Sequence, residues 1–129
     1  MTDQDFLKLA IEEGNKVEAP YNFGAVVVKD GEVIGKDHAH VQETNNPTLH
    51  AEACAIIAAC KQLSAYNIDG CTLYASHEPC MMCLGCASWA HIDRVVYVTP
   101  ASEQNAFDSQ RVCPIPTEVL SVHVDRPRT

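Results

Sequence analysis

The stretch TLYASHEPCMMCLGCASWAHIDRVVYV, residues 72–98, decides the fold. Its two ends, Thr72–Ser76 and Arg94–Val98, are short apolar runs of the kind found in buried strands. Between them, Cys80–Ala90 has the length and composition of a helix. A strand, a helix and a second strand in this order form a β-α-β unit, whose two strands we expect to be parallel.

The rest of the chain predicts two more helices and a hairpin. The expected elements are an amphipathic helix over residues 3–17, strands over 23–28 and 33–36, a turn-rich loop over 43–48, an Ala-rich helix over 51–63 and a further strand over 119–124. Asp30-Gly31 is a hairpin signal, so the first two strands should pair antiparallel. Thr2 or Asp3 can cap the first helix. Together these elements predict an α/β protein with a mixed sheet between layers of helices.

Composition limits the chain to one compact module and disfavours some partners. Its 129 residues are 47% hydrophobic, enough for a single domain over 1–129 that folds without disulfides. The seven cysteines are an odd number, and no signal peptide or membrane-length apolar run is present, which predicts a cytoplasmic protein. The net charge of −8 opposes binding to nucleic acid, although Arg111, Arg126 and Arg128 leave a local basic arm open as the alternative to a solvated tail.

Two predicted helix starts carry residues that bind metals. His50-Ala51-Glu52 opens one helix, and Cys80 and Cys83 lie in the first turn of another, on one face. Helix N-termini lower the pKa of thiols and so favour the thiolates that a metal needs. One imidazole and two thiolates leave the fourth tetrahedral position of a Zn²⁺ ion open for water, as in catalytic sites. Glu52 then lies beside the ion as the base that receives the proton of that water.

The cysteines also have other interpretations. A Cys-x-x-Cys pair alone is equally a redox pair or half of a four-cysteine structural zinc site. Cys86 continues the three-residue spacing and is a competing ligand. The combination of H-x-E with P-C-x-x-C is the signature of zinc deaminases, which favours the catalytic interpretation. In that case Cys86 is a buried small hydrophobe, as are Cys54, Cys60 and Cys71, and Cys113 is a loop or surface thiol.

The chain from about Phe23 to Val98 resembles the cytidine deaminase-like superfamily. The segments that carry the resemblance are NPTLHAE at 46–52 and CTLYASHEPCMMCLG at 71–85, which look most like bacterial guanine deaminases and their nucleobase-deaminase relatives. The tRNA adenosine deaminases share much of both segments. Shorter matches at 23–25, 89–90 and 107–108 favour the guanine deaminase branch. The resemblance implies a three-layer α/β/α sandwich around a five-stranded mixed sheet, and a homodimer.

The same resemblance implies a hydrolytic deaminase of a free nucleobase or another small nitrogen heterocycle, of the guanine, cytosine or aminotriazine type. Zinc hydroxide attacks the amino-bearing ring carbon, and Glu52 passes the proton to a ring nitrogen and then to the departing ammonia. The backbone N–H of Cys80 stabilises the developing charge. Two alternatives stay open: a deaminase that acts on RNA, including tRNA adenosine, and a noncatalytic binding protein that zinc stabilises.

Five residues are candidates for substrate contact, namely Phe23, Ala51, His77, Trp89 and Asp108. Phe23 can stack on a planar ring, with core packing as the alternative. Trp89 can line the pocket, or make a helix or dimer contact instead. Asp108 can accept two hydrogen bonds from a guanidine-like ring edge, with an exposed loop position as the alternative. His77 should lie near the metal because it follows a predicted strand end.

Two departures from the family pattern concern the substrate. Family members commonly place an asparagine, whose amide grips the ring, eleven residues before the zinc histidine, and this chain has Ala39 there. His38 and His40 flank Ala39 and can supply a replacement contact, or have no role. Guanine deaminases typically close the site with a longer tail that bears an aromatic residue, and residues 119–129 contain none. Guanine is therefore less strongly predicted than the reaction.

Overall fold

A computed structural model describes residues 1–100 and 123–125, which form an α/β fold. The elements in chain order are α1 (Asp3–Gly14), β1 (Gly24–Lys29), β2 (Glu32–His38), α2 (Val41–Thr44), α3 (Ala51–Leu63), β3 (Cys71–His77), α4 (Met81–Trp89), β4 (Arg94–Thr99) and β5 (His123–Asp125). None of the helices in the described ranges is long and apolar enough to cross a membrane. The α/β class that the sequence predicts is confirmed.

The strands form one mixed sheet in the order β2-β1-β3-β4-β5. β1 pairs antiparallel with β2 and β3, whereas β4 pairs parallel with β3 and β5. Asp30 (φ 52°) and Gly31 (φ 77°) form the tight turn between β1 and β2, as the Asp-Gly pair predicts. The predicted hairpin and β-α-β unit are therefore confirmed. The strand expected over 119–124 overlaps β5 at residues 123 and 124, and its first part lies outside the described residues.

Helices cover both faces of the sheet. Successive strand residues point to opposite faces. The strand residues that pack with α3 and α4 in the larger core include Ala25, Val27, Leu73 and Val95. Those that pack with α1 in the smaller core are Val26, Val28, Tyr74 and Val96. The result is three layers, with α1 on one side of the sheet and the helices α3 and α4 on the other.

Strands β1 to β4 differ from their predicted bounds by one or two residues, and the first helix and the turn-rich loop also differ from the prediction. The first helix ends at Gly14 instead of reaching Val17. A Cβ atom at Gly14 would lie 2.8 Å from the backbone nitrogen of Gly24, so α1 ends where its backbone packs directly on the start of β1. The first two residues of the loop expected over 43–48 belong instead to the short helix α2 (Val41–Thr44), whose C-cap residue Asn45 has the left-handed conformation (φ 54°).

Gly35 of β2 permits a close approach of α3 to the sheet. A Cβ atom there would lie 2.5 Å from the carbonyl oxygen of Ala55 and 2.6 Å from the backbone nitrogen of Ala59. Backbone atoms of a helix cannot rotate away from a new methyl group as a flexible side chain can. We therefore expect the steric clash in Gly35→Ala to lower the free energy of unfolding by about 1–3 kcal/mol. Gly85→Ala on α4 is the matched control, since open space surrounds Gly85, and it should be neutral or stabilising by up to about 1 kcal/mol.

Urea unfolding of both glycine variants in the zinc-loaded protein measures this difference. Wild-type stability of Gly35→Ala would show that α3 can move away from β2 without loss of packing energy.

Candidate active site

Two helix starts bring the three predicted zinc ligands together. His50 is the N-cap residue of α3 and Cys80 is the N-cap residue of α4. Both have extended backbone angles, and neither side chain makes a capping hydrogen bond to its own helix in the described structure. Cys83 is the third residue of α4 and is fully buried. One ligand atom from each of the three residues lies within 4.8 Å of the others.

The donor set and its spacing fit a zinc ion. Bonds of about 2.0 Å to nitrogen and about 2.3 Å to sulfur, at a tetrahedral angle, place the two ligand atoms about 3.5 Å apart. His50 Nδ1 lies 3.5 Å from the Cys80 sulfur. Three protein ligands leave one coordination position for water, whereas a structural site takes four. Cys86, the competing candidate, does not belong to this group among the described residues.

A hydrogen bond between the two cysteine side chains moves their pKa values apart. The Cys83 thiol, which is hydrogen-bonded to the Cys80 sulfur, lowers the pKa of Cys80, and a hydrogen bond with His50 lowers it further. The same contact with Cys80, together with burial, raises the pKa of Cys83. A sulfur that is already a thiolate next to an imidazole suits a metal, because thiols must lose their protons when a metal binds.

Glu52 lies beside the ligand group and not within it. It is the second residue of α3, and only 6% of its surface is exposed. Burial, reinforced by the negative charge of Cys80, raises the pKa of Glu52 to about 7, although a hydrogen bond from Cys83 acts in the opposite direction. A carboxyl group whose pKa lies near neutrality can both take up and release a proton, as general acid–base chemistry requires.

Phe23 and His77 meet at the ends of neighbouring strands. Phe23 precedes β1, His77 ends β3, and their rings make an edge-to-face contact with centroids 4.4 Å apart. Burial lowers the pKa of His77, which favours the neutral imidazole. Its Nδ1 lies 2.8 Å from the hydroxyl oxygen of Ser76, which also accepts a hydrogen bond from the N–H of Gly24. His77 is three residues before Cys80 in the sequence, and its contact with Phe23 holds an aromatic ring beside it.

The other substrate candidates lie in different places. Ala51 is fully buried between His50 and Glu52. Trp89 ends α4, about 12 Å along the axis from the start of that helix, and its surface is 85% exposed. Trp89 and the predicted zinc ligand Cys83 therefore lie toward opposite ends of α4 within one chain. Asp108 lies outside the described residues, as do Cys113 and the three C-terminal arginines.

A second group of metal-binding side chains lies next to Ala39. Asp37, His38 and His40 each place a ligand atom within 4.8 Å of the others. The sequence predicts the two histidines as substitutes for the missing asparagine or as residues without a role, and it gives no role to Asp37. The sequence pattern that could indicate this metal-binding group is an aspartate followed by two closely spaced histidines. That pattern is not specific until the fold shows that the three side chains meet.

Comparisons with known proteins find relatives of the chain. Residues 1–99 match the family of the cytidine and deoxycytidylate deaminase zinc-binding region. Guanine deaminase of Bacillus subtilis (strain 168) is 45% identical over 115 residues, which are 84% of this chain and 74% of that protein. A tRNA-specific adenosine deaminase of Aquifex aeolicus (strain VF5) is 40% identical over 101 residues, which are 75% of this chain and 66% of that protein.

The fold of this chain is also similar to that of a solved deaminase structure. The X-ray structure of guanine deaminase from Bacillus subtilis superposes on this chain with a TM-score of 0.78 at 36% identity. The superposition covers 100% of this chain and 87% of that one.

Proposed function

Because this chain belongs to the cytidine and deoxycytidylate deaminase zinc-binding family, we propose that it is a hydrolytic deaminase of a free nucleobase or small aminoheterocycle, of the guanine, cytosine or aminotriazine type. The observation that carries the proposal is the buried Glu52 carboxyl group beside the ligand atoms of His50, Cys80 and Cys83. A purely structural zinc site has no use for a buried carboxyl group that is not a ligand.

Each residue of the site has a part in this reaction. His50, Cys80 and Cys83 would hold the zinc ion, which when bound makes water nucleophilic near neutral pH. Glu52 accepts one proton from the attacking water and delivers it to a ring nitrogen, and it then moves the second proton, from the hydroxyl now on the ring carbon, to the departing amino group. The water oxygen replaces that amino group on the ring carbon, so the products are a carbonyl compound and ammonia. The backbone N–H of Cys80 donates a hydrogen bond to the charge that develops.

Three observations favour a small substrate. The guanine deaminase relative is 45% identical, against 40% for the tRNA-specific relative. The net charge of −8 opposes binding to a phosphate backbone. The Phe23 ring, held against His77, suits contact with a planar heterocycle. We therefore assign Phe23, His77 and the buried Ala51 to the substrate pocket.

A deaminase of adenosine in tRNA is the second candidate function. The 40% identity to the Aquifex aeolicus enzyme supports it. Such an enzyme needs a basic path for the nucleic-acid backbone and a pocket for a flipped base. The acidic composition is the feature that makes this candidate the weaker of the two.

We also propose that the protein acts as a cytoplasmic homodimer. Met82 and Trp89 of α4 are 37% and 85% exposed, and Ile57 of the neighbouring helix α3 is 43% exposed. Large apolar side chains that are exposed on adjacent helices are typical of surfaces that bind another protein. A second copy of the same chain is the commonest partner of this kind.

Ammonia release tests the substrate class. We expect the zinc-loaded protein to deaminate one small ring in a panel of guanine, cytosine, adenine, their nucleosides and an aminotriazine, with a kcat/KM of roughly 10⁴ M⁻¹ s⁻¹ or more. An RNA hairpin in the same panel should release none. Activity on the hairpin alone would establish the second candidate, and silence across the whole panel would contradict both.

A further inference from the structure

We propose that Asp37, His38 and His40 form a second site for a divalent transition-metal ion, separate from the zinc site of the deaminase. These three residues form the 37–40 cluster. The Oδ1 atom of Asp37 is its centre, 2.7 Å from Nε2 of His40 and 3.7 Å from Nδ1 of His38. Two imidazoles and a carboxylate suit zinc, nickel and related first-row ions, and no sulfur takes part.

The backbone holds the 37–40 cluster in place. His38 ends β2, and its N–H donates to Asp37 Oδ1 at 2.9 Å. His40 is the N-cap residue of α2, and its N–H donates to the carbonyl oxygen of Leu49 at 2.9 Å. The centroids of the two imidazole rings are 4.5 Å apart, and the ring planes are tilted by 37° to each other. The three side chains are 22–29% exposed, so an ion from solvent can reach them.

Both ring nitrogens of His40 face carboxylates. Nε2 lies 2.7 Å from Asp37 Oδ1, and Nδ1 lies against Oε1 of Glu43. A neutral imidazole has one N–H to donate, so its other nitrogen would aim a lone pair at a carboxylate oxygen. A positive charge at that nitrogen removes the conflict, and the charge is either a proton or a metal ion bound by both His40 and Asp37. When the metal ion binds Nε2, Glu43 holds the proton on Nδ1, which is the usual outer-shell arrangement of a histidine ligand.

The surroundings of the cluster are negative. Glu13 of α1, whose side chain is 7% exposed, places Oε2 at 2.9 Å from Nδ1 of His38. Its other oxygen, Oε1, pairs with Lys16 Nζ at 2.9 Å. The groups in direct contact with the two histidines are thus the carboxylates of Asp37, Glu13 and Glu43, and one of these, Glu13, is also paired with an ammonium group. With neutral imidazoles this excess of negative charge attracts a dication.

The spacing also suits coordination. Bonds of about 2.0–2.2 Å at octahedral or tetrahedral angles place two nitrogen or oxygen ligands about 2.8–3.6 Å apart. The separations of 2.7 Å between His40 and Asp37 and 3.7 Å between His38 and Asp37 lie just outside the two ends of that range. Small side-chain rotations therefore suffice, and Glu13 is near enough to His38 to serve as an additional ligand.

Nickel titration of the untagged, zinc-loaded protein tests the proposal. Isothermal calorimetry should show one saturable Ni²⁺ equivalent per chain, while the zinc content stays unchanged. We expect the double variant His38→Ala, His40→Ala to lose this equivalent, with affinity reduced at least about 100-fold. Glu43→Gln should weaken it by about 10–100-fold through its effect on the His40 tautomer.

His91→Ala is the matched control, because His91 is 58% exposed and its carboxylate neighbour Asp69 lies 3.6 Å away. It should bind Ni²⁺ as the wild type does. Circular dichroism and the retained zinc equivalent report folding, and Asp37→Asn replaces the double variant if that variant does not fold. Absence of saturable Ni²⁺ binding by the wild type, or wild-type binding by the folded ligand variants, would overturn the proposal.

Discussion

Glu52→Gln is expected to lower kcat by about 10²–10⁴-fold with unchanged zinc content. Glutamine keeps the volume of Glu52 and can still accept a hydrogen bond, but it cannot take up a proton from water and pass it to the substrate. Ammonia release, measured beside metal analysis of the same sample, checks this. Loss of zinc together with activity would instead assign Glu52 to holding the ion, and full turnover would refute its role in proton transfer.

The stability of Glu52→Gln separates catalysis from folding. In the zinc-free folded protein the pKa of Glu52 is raised to about 7, so the folded state holds this proton more tightly than the unfolded chain does. The stability that it contributes is therefore largest below a pH of about 4.5 and falls as the pH rises toward 7. An amide does not ionise, so near neutral pH the zinc-free variant should melt at or above the temperature of the zinc-free wild type. Glu32→Gln, at an exposed position on β2, is the control and should keep full activity.

Cys83→Ser is expected to abolish zinc binding and deamination together. Cys83 is fully buried and supplies one of the three close ligand atoms. A serine hydroxyl stays protonated at neutral pH and cannot replace a thiolate ligand. The loss of zinc affinity should exceed the roughly 10–100-fold that is typical when an outer-shell partner is removed. The melting temperature should fall as well, because metal binding contributes to the free energy of folding.

Cys86→Ser is the matched control for that loss. Cys86 lies three residues further along α4 and is half-buried. Cobalt substituted for zinc reports sulfur ligands through its thiolate charge-transfer absorption, to which the sulfur-free 37–40 cluster does not contribute. We expect this absorption in Cys86→Ser and not in Cys83→Ser. The opposite pattern would make Cys86 the ligand.

Features with a local signal are predictable from the sequence. Asp30-Gly31 gives the hairpin turn because both residues tolerate positive φ. The Ala-rich segment predicts α3 with the bounds Ala51–Leu63 that the structure has. The spacing of Cys80 and Cys83 depends on a single helical turn, so their proximity follows from the helix alone.

Features that depend on distant contacts are not predictable in this way. Asp3 accepts two hydrogen bonds from Arg94, at 3.0 and 2.8 Å, and one from the Tyr74 hydroxyl at 2.7 Å, across most of the chain. The end of α1 depends on a backbone contact with β1, which helical periodicity does not contain. The pairing of His38 with Glu13 likewise requires that α1 lie beside the end of β2. The four residues of α2 are too few to give a periodic pattern.

A side chain at a helix start can stabilise the helix or hold an ion, and this chain divides the two tasks. Thr2 caps α1 with a full capping box, whereas His50 and Cys80 occupy the same kind of position without a capping hydrogen bond in the described structure. Serine, aspartate or asparagine at either position would add about 1 kcal/mol of helix stability. A substitution that added a cap to α3 or α4 would therefore remove a metal ligand, and the loss of bound zinc would offset its gain in helix stability. Efforts to raise thermostability, in the laboratory or by selection, must leave these two helix starts alone and improve the molecule elsewhere.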